Sequence, residues 1–222
     1  MSQSAVSQSA VGQPAVGQPA VSHSAVSHSA AVGPIVLVGL MATGKTTVSR
    51  LLADRLGRRV WDSDAMIEAR TGHTVAELWE SGGEPAYRLL ETEVLDEALD
   101  ASPPGVIAAA GGVVLSGVNR ARLRAASERG AVVVWLRADP AVLASRVHPG
   151  DHRPLLRDDP AGTLQQMARD REGLYAEVAD RTVDVGALPI NEAVEAVAAA
   201  VAGVAGAGAV GAAAAARSEV SR

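Results

Sequence analysis

The stretch Gly39-Leu40-Met41-Ala42-Thr43-Gly44-Lys45-Thr46 fits the pattern G-x-x-x-x-G-K-[ST]. It follows the apolar run IVLV and precedes TTVSRLLADRLG, whose apolar residues recur at helical spacing. A strand running into such a turn and a helix leaving it admit few folds. The glycines must let backbone N–H groups point inward around an anion, and the helix must begin at that anion. The same turn explains an oddity of composition: Lys45 is the only lysine, all 19 other basic residues being arginine. A compact ammonium on a flexible stem can reach β- and γ-phosphate oxygens where a planar guanidinium fork cannot substitute. Gly39, Ala42, Thr43, Gly44, Lys45, Thr46 and Thr47 are therefore candidate residues for binding ATP, with Lys45 catalytic and the Thr46 hydroxyl directed at Mg²⁺. Ala42 occupies a place often held by glycine, so the backbone there must suit a residue with a Cβ.

Downstream, short apolar runs alternate with amphipathic segments: RRVWD, a helical stretch, GVIAAAGG, a helix, AVVVWLRA and finally RTVDV. Continuous short runs of this kind are what a parallel sheet buried on both faces requires, and the class is α/β with about five strands flanked by helices. Asp139-Pro140 reads as a helix cap with a first-turn proline, and Asn119 as the residue before another Arg-rich amphipathic turn. Phe is absent and only three Trp and two Tyr occur, so the core must be aliphatic.

The remaining composition excludes more than it assigns. A net charge of −5 argues against a general polyanion binder, so nucleic acid is not an expected partner. No cysteine is present, which removes disulfides, thiolate chemistry and Cys-ligated metals. Residues 1–33 read as disordered five-residue repeats of the type SQSAV, too polar and small to offset chain entropy. His23 and His28 within them read as solvated. The repeats lack the basic and apolar regions of a secretory signal, so cytoplasmic residence with no membrane association is expected. The ordered domain is expected over 34–202, as a monomer, with an Ala/Gly-rich frayed helix or tail over 203–222.

Three further places suggest an acceptor. VWDSD puts Asp62 and Asp64 at the carboxyl edge of the sheet, where α/β folds bind ligands. On an extended segment the two would face opposite sides, one toward phosphate and metal, the other toward an acceptor. A competing reading makes Asp64 the cap of the following helix. Arg88, after a helix start in SGGEPAYRLL, reads either as a solvated helix-face arginine or as an anion ligand. Gly111-Gly112, past a buried strand, is either an ordinary tight turn or a place where bare backbone approaches a ligand. Tyr87 and Trp61 read as packing residues without a role.

Taken in order, the phosphate loop, D-S-D after the second strand, G-E-x-x-[YF]-R, the Gly-rich turn, R-P-L-L and R-x-x-L-Y resemble the shikimate kinase family from Ile35 to about Val201. The resemblance implies a P-loop kinase fold with a substrate-binding helical region, about 63–97, and a lid, about 147–158. It implies transfer of phosphate from ATP to a hydroxyl of shikimate, in aromatic amino acid biosynthesis. By the same resemblance Asp64 would contact the acceptor's hydroxyls and Asp62 the outer shell of Mg²⁺. Arg88 and Arg171 would hold the acceptor's carboxylate, and Gly111 and Gly112 would border it. Arg153 would swing in with the lid to the transferring phosphate, and Arg146 would stack on adenine. Ala110 departs from the pattern, standing where the family usually has the first of three glycines, which implies a pocket tighter by one methyl. Two other readings keep the loop and change the rest: a kinase for another small polyol or hydroxy acid, and an ATP-binding regulatory module with no acceptor.

Overall fold

The computed structural model describes residues 33–147 and 159–219. Its five parallel strands are β1 (Ile35–Val38), β2 (Val60–Asp62), β3 (Val106–Ala108), β4 (Val132–Arg137) and β5 (Arg181–Asp184), in the order β2-β3-β1-β4-β5. The central strands β1 and β3 are buried throughout, and β4 as far as Leu136. Layers on both faces explain why these three runs carry no polar alternation. At the edge, β5 buries only Val183 and exposes Arg181, Thr182 and Asp184. Because Leu37 lies opposite both Ala108 and Val134, the loops after β1 and β3 emerge side by side at the carboxyl edge.

Among the described residues seven α-helices surround the sheet: α1 (Lys45–Leu56), α2 (Ser63–Thr71), α3 (Val75–Leu99), α4 (Gly117–Glu128), α5 (Pro140–Ser145), α6 (Pro160–Val178) and α7 (Ile190–Glu219). Their ends follow local chemistry. Asp139 caps α5 by accepting from the Ala141 N–H at 2.7 Å, ahead of Pro140 in the first turn. Thr74 and Glu77 form a reciprocal capping box at the start of α3. Inside α3 the backbone breaks at Gly83 (φ 67°, ψ −178°), just before Glu84-Pro85, so the turn carrying Arg88 begins a new helical segment. Asn119 does not open α4. Ser116 does, because its backbone is extended and its hydroxyl accepts from the Asn119 N–H at 3.3 Å, leaving Asn119 buried within the first turn. At the other end, α7 runs on to Glu219 past Gly203, since the alanines between its glycines are the strongest helix formers.

The main core is aliphatic apart from Trp135 and Tyr175, which stack with ring centroids 5.7 Å apart, and Met167. A second, smaller apolar cluster joins Ile67 of α2 to Tyr87 and Val94 of α3, with Trp79 packed against it. This cluster fixes α2 and α3 to each other beside the carboxyl edge of the sheet. The N-terminal repeats up to residue 32, with His23 and His28, lie outside the described residues, as does the expected lid beyond Val147, with Arg153.

Candidate active site

The loop between β1 and α1 is shaped by three backbone positions. A Cβ on Gly39 (φ 142°) would collide with the Leu136 carbonyl, and Gly44 (φ 90°) turns the chain into α1. Ala42 takes φ 63°, the only positive φ at a non-glycine position among the described residues. The loop thus adopts at Ala42 a left-handed conformation that costs an L-residue about 1–2 kcal/mol. Thr43 turns its hydroxyl inward, donating to the Leu40 carbonyl at 2.8 Å, so only its backbone can serve a ligand. Lys45 Nζ folds back over the loop and donates to the carbonyls of Gly39 (2.9 Å) and Leu40 (2.8 Å). Thr46 Oγ1 donates to Asp62 Oδ2 at 2.7 Å, joining the first turn of α1 to the end of β2.

The two aspartates divide their work differently from either sequence reading. Asp62, still extended, is the cap of α2 and accepts from the Ala65 N–H through Oδ1. Asp64 lies in the first helical turn, so the separation of the two carboxylates comes from the strand-to-helix switch and not from alternation along a strand. Asp64 Oδ1 accepts a 2.7 Å hydrogen bond from the Tyr87 hydroxyl. Asp64 keeps an accessible face toward the cleft, but protein encloses the rest of the carboxylate. That withdrawal from water raises its pKa above the ordinary carboxylate value. The Tyr87 bond and Lys45 work against the rise; Asp62 and Glu68 add to it. Burial, and then the charge of Asp64, push the Tyr87 phenol far upward, so it remains a proton donor.

On the facing wall, Arg88 Nη1 donates to Glu91 Oε2 at 2.6 Å, while Nη2 and Nε reach Glu84 Oε1 at 2.7 and 3.1 Å. Burial works against the Arg88 charge, but Glu91 and Glu84 outweigh it and hold the guanidinium above its ordinary pKa. Glu91 is 2% exposed with Oε1 lacking any partner, and burial raises its pKa against the pull of Arg88. Gly112 is glycine for a visible reason: any Cβ there would strike the Arg88 guanidinium. Its neighbour Gly111 offers its carbonyl to Arg171 Nη1 (3.3 Å) and to the Tyr175 hydroxyl (2.5 Å). Arg88 and Arg171, distant in sequence, therefore meet at adjacent residues of one turn, Arg171 nine-tenths buried behind it. Arg146, at the end of α5, is tied by Nη2 to the carbonyls of Val185 and Gly186 at 3.0 and 2.9 Å.

A cleft of about 590 Å³ is lined by Ala42, Gly44 to Thr47, Asp62, Asp64, Trp79, Tyr87, Arg88, Glu91, Ala110 to Gly112 and Arg146, with Thr43 and Arg171 outside its lining. Ala110 is buried and lines this cleft. Sequence reasoning passed over Glu91 and gave Tyr87 no role. A readable signal existed for Glu91, since a carboxylate three residues after an arginine shares its helix face. The match of the family described as shikimate kinase to residues 41–202 joins this geometry to a lineage. The chain belongs to the shikimate kinase family. It is 43% identical over 160 residues to the shikimate kinase of Thermobifida fusca, covering 72% of this chain and 90% of that protein. With the shikimate kinase of Symbiobacterium thermophilum it shares 47% identity over 148 residues, 65% of this chain and 82% of the relative. Among solved structures, shikimate kinase from Acinetobacter baumannii in complex with shikimate superposes with a TM-score of 0.68 at 34% identity, covering 74% of this chain and 89% of that one. As in the family, the fold is a P-loop kinase fold. No helix among the described residues is long and apolar enough to cross a membrane.

Proposed function

We infer that the chain transfers the γ-phosphoryl group of ATP to a hydroxyl of shikimate, giving shikimate 3-phosphate and ADP. The observation that carries this reading is the meeting, in a member of the shikimate kinase family, of a phosphate loop with a second wall bearing a carboxylate and an arginine in the same cleft. A module that only bound nucleotide would need no such wall.

Charge in this reaction spreads over the γ-phosphate oxygens, so the protein's work is alignment and electrostatic stabilisation. Lys45 swings from its loop carbonyls to the phosphate oxygens. Asp64 accepts the hydrogen bond of the attacking hydroxyl and takes its proton as the new O–P bond forms, a contribution of about 10²- to 10⁴-fold for a true general base. Its raised pKa makes it a stronger proton acceptor than an ordinary aspartate. Arg88 faces the carboxylate of the acceptor, Arg171 adds charge from behind the Gly111-Gly112 turn, and the Ala110 methyl narrows the floor. Arg146 borders the adenine, and Arg153 reaches the transferring phosphate.

Thr46 and Asp62 present adjacent oxygens at the mouth of the loop, which suits Mg²⁺, a hard cation held through few protein oxygens together with substrate phosphates. When bound, the ion neutralises charge on the β- and γ-phosphate oxygens. A coupled ADP-release assay with shikimate, carboxylate-free cyclitols and gluconate tests the assignment. Shikimate should give the highest kcat/KM, and a neutral cyclitol or gluconate ahead of it would move the chain to another polyol or hydroxy acid.

A further inference from the structure

Tyr87, in the stretch Gly83-Glu84-Pro85-Ala86-Tyr87-Arg88, brings a hydroxyl into an otherwise apolar packing position. The Tyr87 ring is 4% exposed, belongs to the small cluster with Ile67 and Val94, and lies 5.7 Å from the Trp79 ring at 41°. A side chain packed on that many sides delivers its hydroxyl to one place, and the place is Asp64 Oδ1, 2.7 Å away. Among the described residues this is the only hydrogen bond to the Asp64 carboxylate. The torsion that orients an aspartate carboxylate has a broad preference, so nothing intrinsic to the side chain selects its plane.

We propose that Tyr87 is a positioning residue for phosphoryl transfer: its hydroxyl clamps Asp64 Oδ1 and thereby presents Oδ2 to the reacting hydroxyl of the acceptor. This rests on the assignment of Asp64 to the acceptor made above. The clamp acts on turnover more than on affinity, because the Tyr87 hydroxyl is taken up by Asp64. A carboxylate displaced by about 1 Å can cost up to about 10²-fold in rate, so loss of the hydroxyl should lower kcat by about 10- to 100-fold.

The test is a double-mutant cycle in the full chain, read as kcat and KM with shikimate and ATP. Tyr87→Phe keeps the ring and its packing, and should lower kcat by about 10- to 100-fold with both KM values within about threefold. In an Asp64→Asn background the same change should alter kcat by no more than about twofold, since the clamped group has already lost its function. Unchanged kcat in Tyr87→Phe beside an impaired Asp64→Asn overturns the clamp and leaves the role of Asp64 intact. A full Tyr87→Phe effect that persists in the Asp64→Asn background overturns it too, by showing that the hydroxyl acts elsewhere. Unimpaired Asp64→Asn overturns both, and is seen without reference to Tyr87.

Discussion

The two walls of the cleft are built by different means. On the nucleotide wall, eight consecutive residues from Gly39 to Thr46 make the site largely from backbone, with two positive-φ glycines and a strained Ala42 setting the curve. On the acceptor wall, α2, α3, α6 and the turn after β3 supply the groups, and the charged side chains are held by another side chain or carbonyl. Tyr87 holds Asp64, Glu91 and Glu84 hold Arg88, and the Gly111 carbonyl holds Arg171. A backbone site survives most substitutions around it and depends on one side chain, Lys45. A side-chain site depends on a network, and damage to any member spreads to its partners.

That contrast predicts a graded series. Lys45→Ala should lower kcat by about 10²- to 10³-fold, as does loss of one preorganised donor to transition-state charge, with the melting temperature preserved. Lys45→Arg should be nearly as poor; wild-type turnover in the arginine variant would break the comparison, since that wall would then need charge alone. Asp64→Asn should lower kcat by at least about 10²-fold without loss of stability, because the helix cap is Asp62. An acid whose folded pKa is raised binds its proton more tightly in the folded state, and so subtracts stability as pH rises from its unfolded value through the folded one. The Asp64→Asn variant should therefore gain on the wild type as pH rises from about 4 toward neutrality, as chemical denaturation at several pH values would measure. Glu91→Gln leaves Arg88 less firmly placed and should raise the KM for shikimate about 10-fold, within the cost of about 1–3 kcal/mol for a weakened buried polar contact. An unchanged KM would mean that the acceptor wall is less of a network than its geometry implies. The smallest effect belongs to the backbone wall. Ala42→Gly should stabilise the fold by about 0.5 kcal/mol, relief of the left-handed strain being partly offset by glycine's entropy, with kcat within about twofold.

The same contrast decided what could be read in advance. The phosphate loop and the buried strands are local patterns, and β1 to β5 fall on the five apolar runs. The acceptor wall became legible only as a resemblance, because no single segment of it distinguishes a ligand from a solvated arginine or a tight turn. Three details depended on backbone geometry that residue type does not carry. Asp62 caps α2 in place of Asp64 because it is the last extended residue, and Ser116 caps α4 in place of Asn119 for the same reason. A Cβ at Gly112 would meet the Arg88 guanidinium arriving from another helix. Tyr87 was passed over because a buried aromatic is a packing residue until its hydroxyl is seen to have a target.

The proposed function assigns Arg88 and Arg171 to the carboxylate of the acceptor. The most direct measurement compares kcat/KM for shikimate with that for its uncharged primary amide, in the wild type and in Arg88→Ala. Wild type should strongly prefer shikimate. Arg88→Ala should lose about 2–4 kcal/mol of transition-state stabilisation with shikimate, while its KM for ATP moves little and the amide loses several-fold at most. Equal use of acid and amide by the wild type, or equal losses for both on mutation, would contradict the carboxylate clamp.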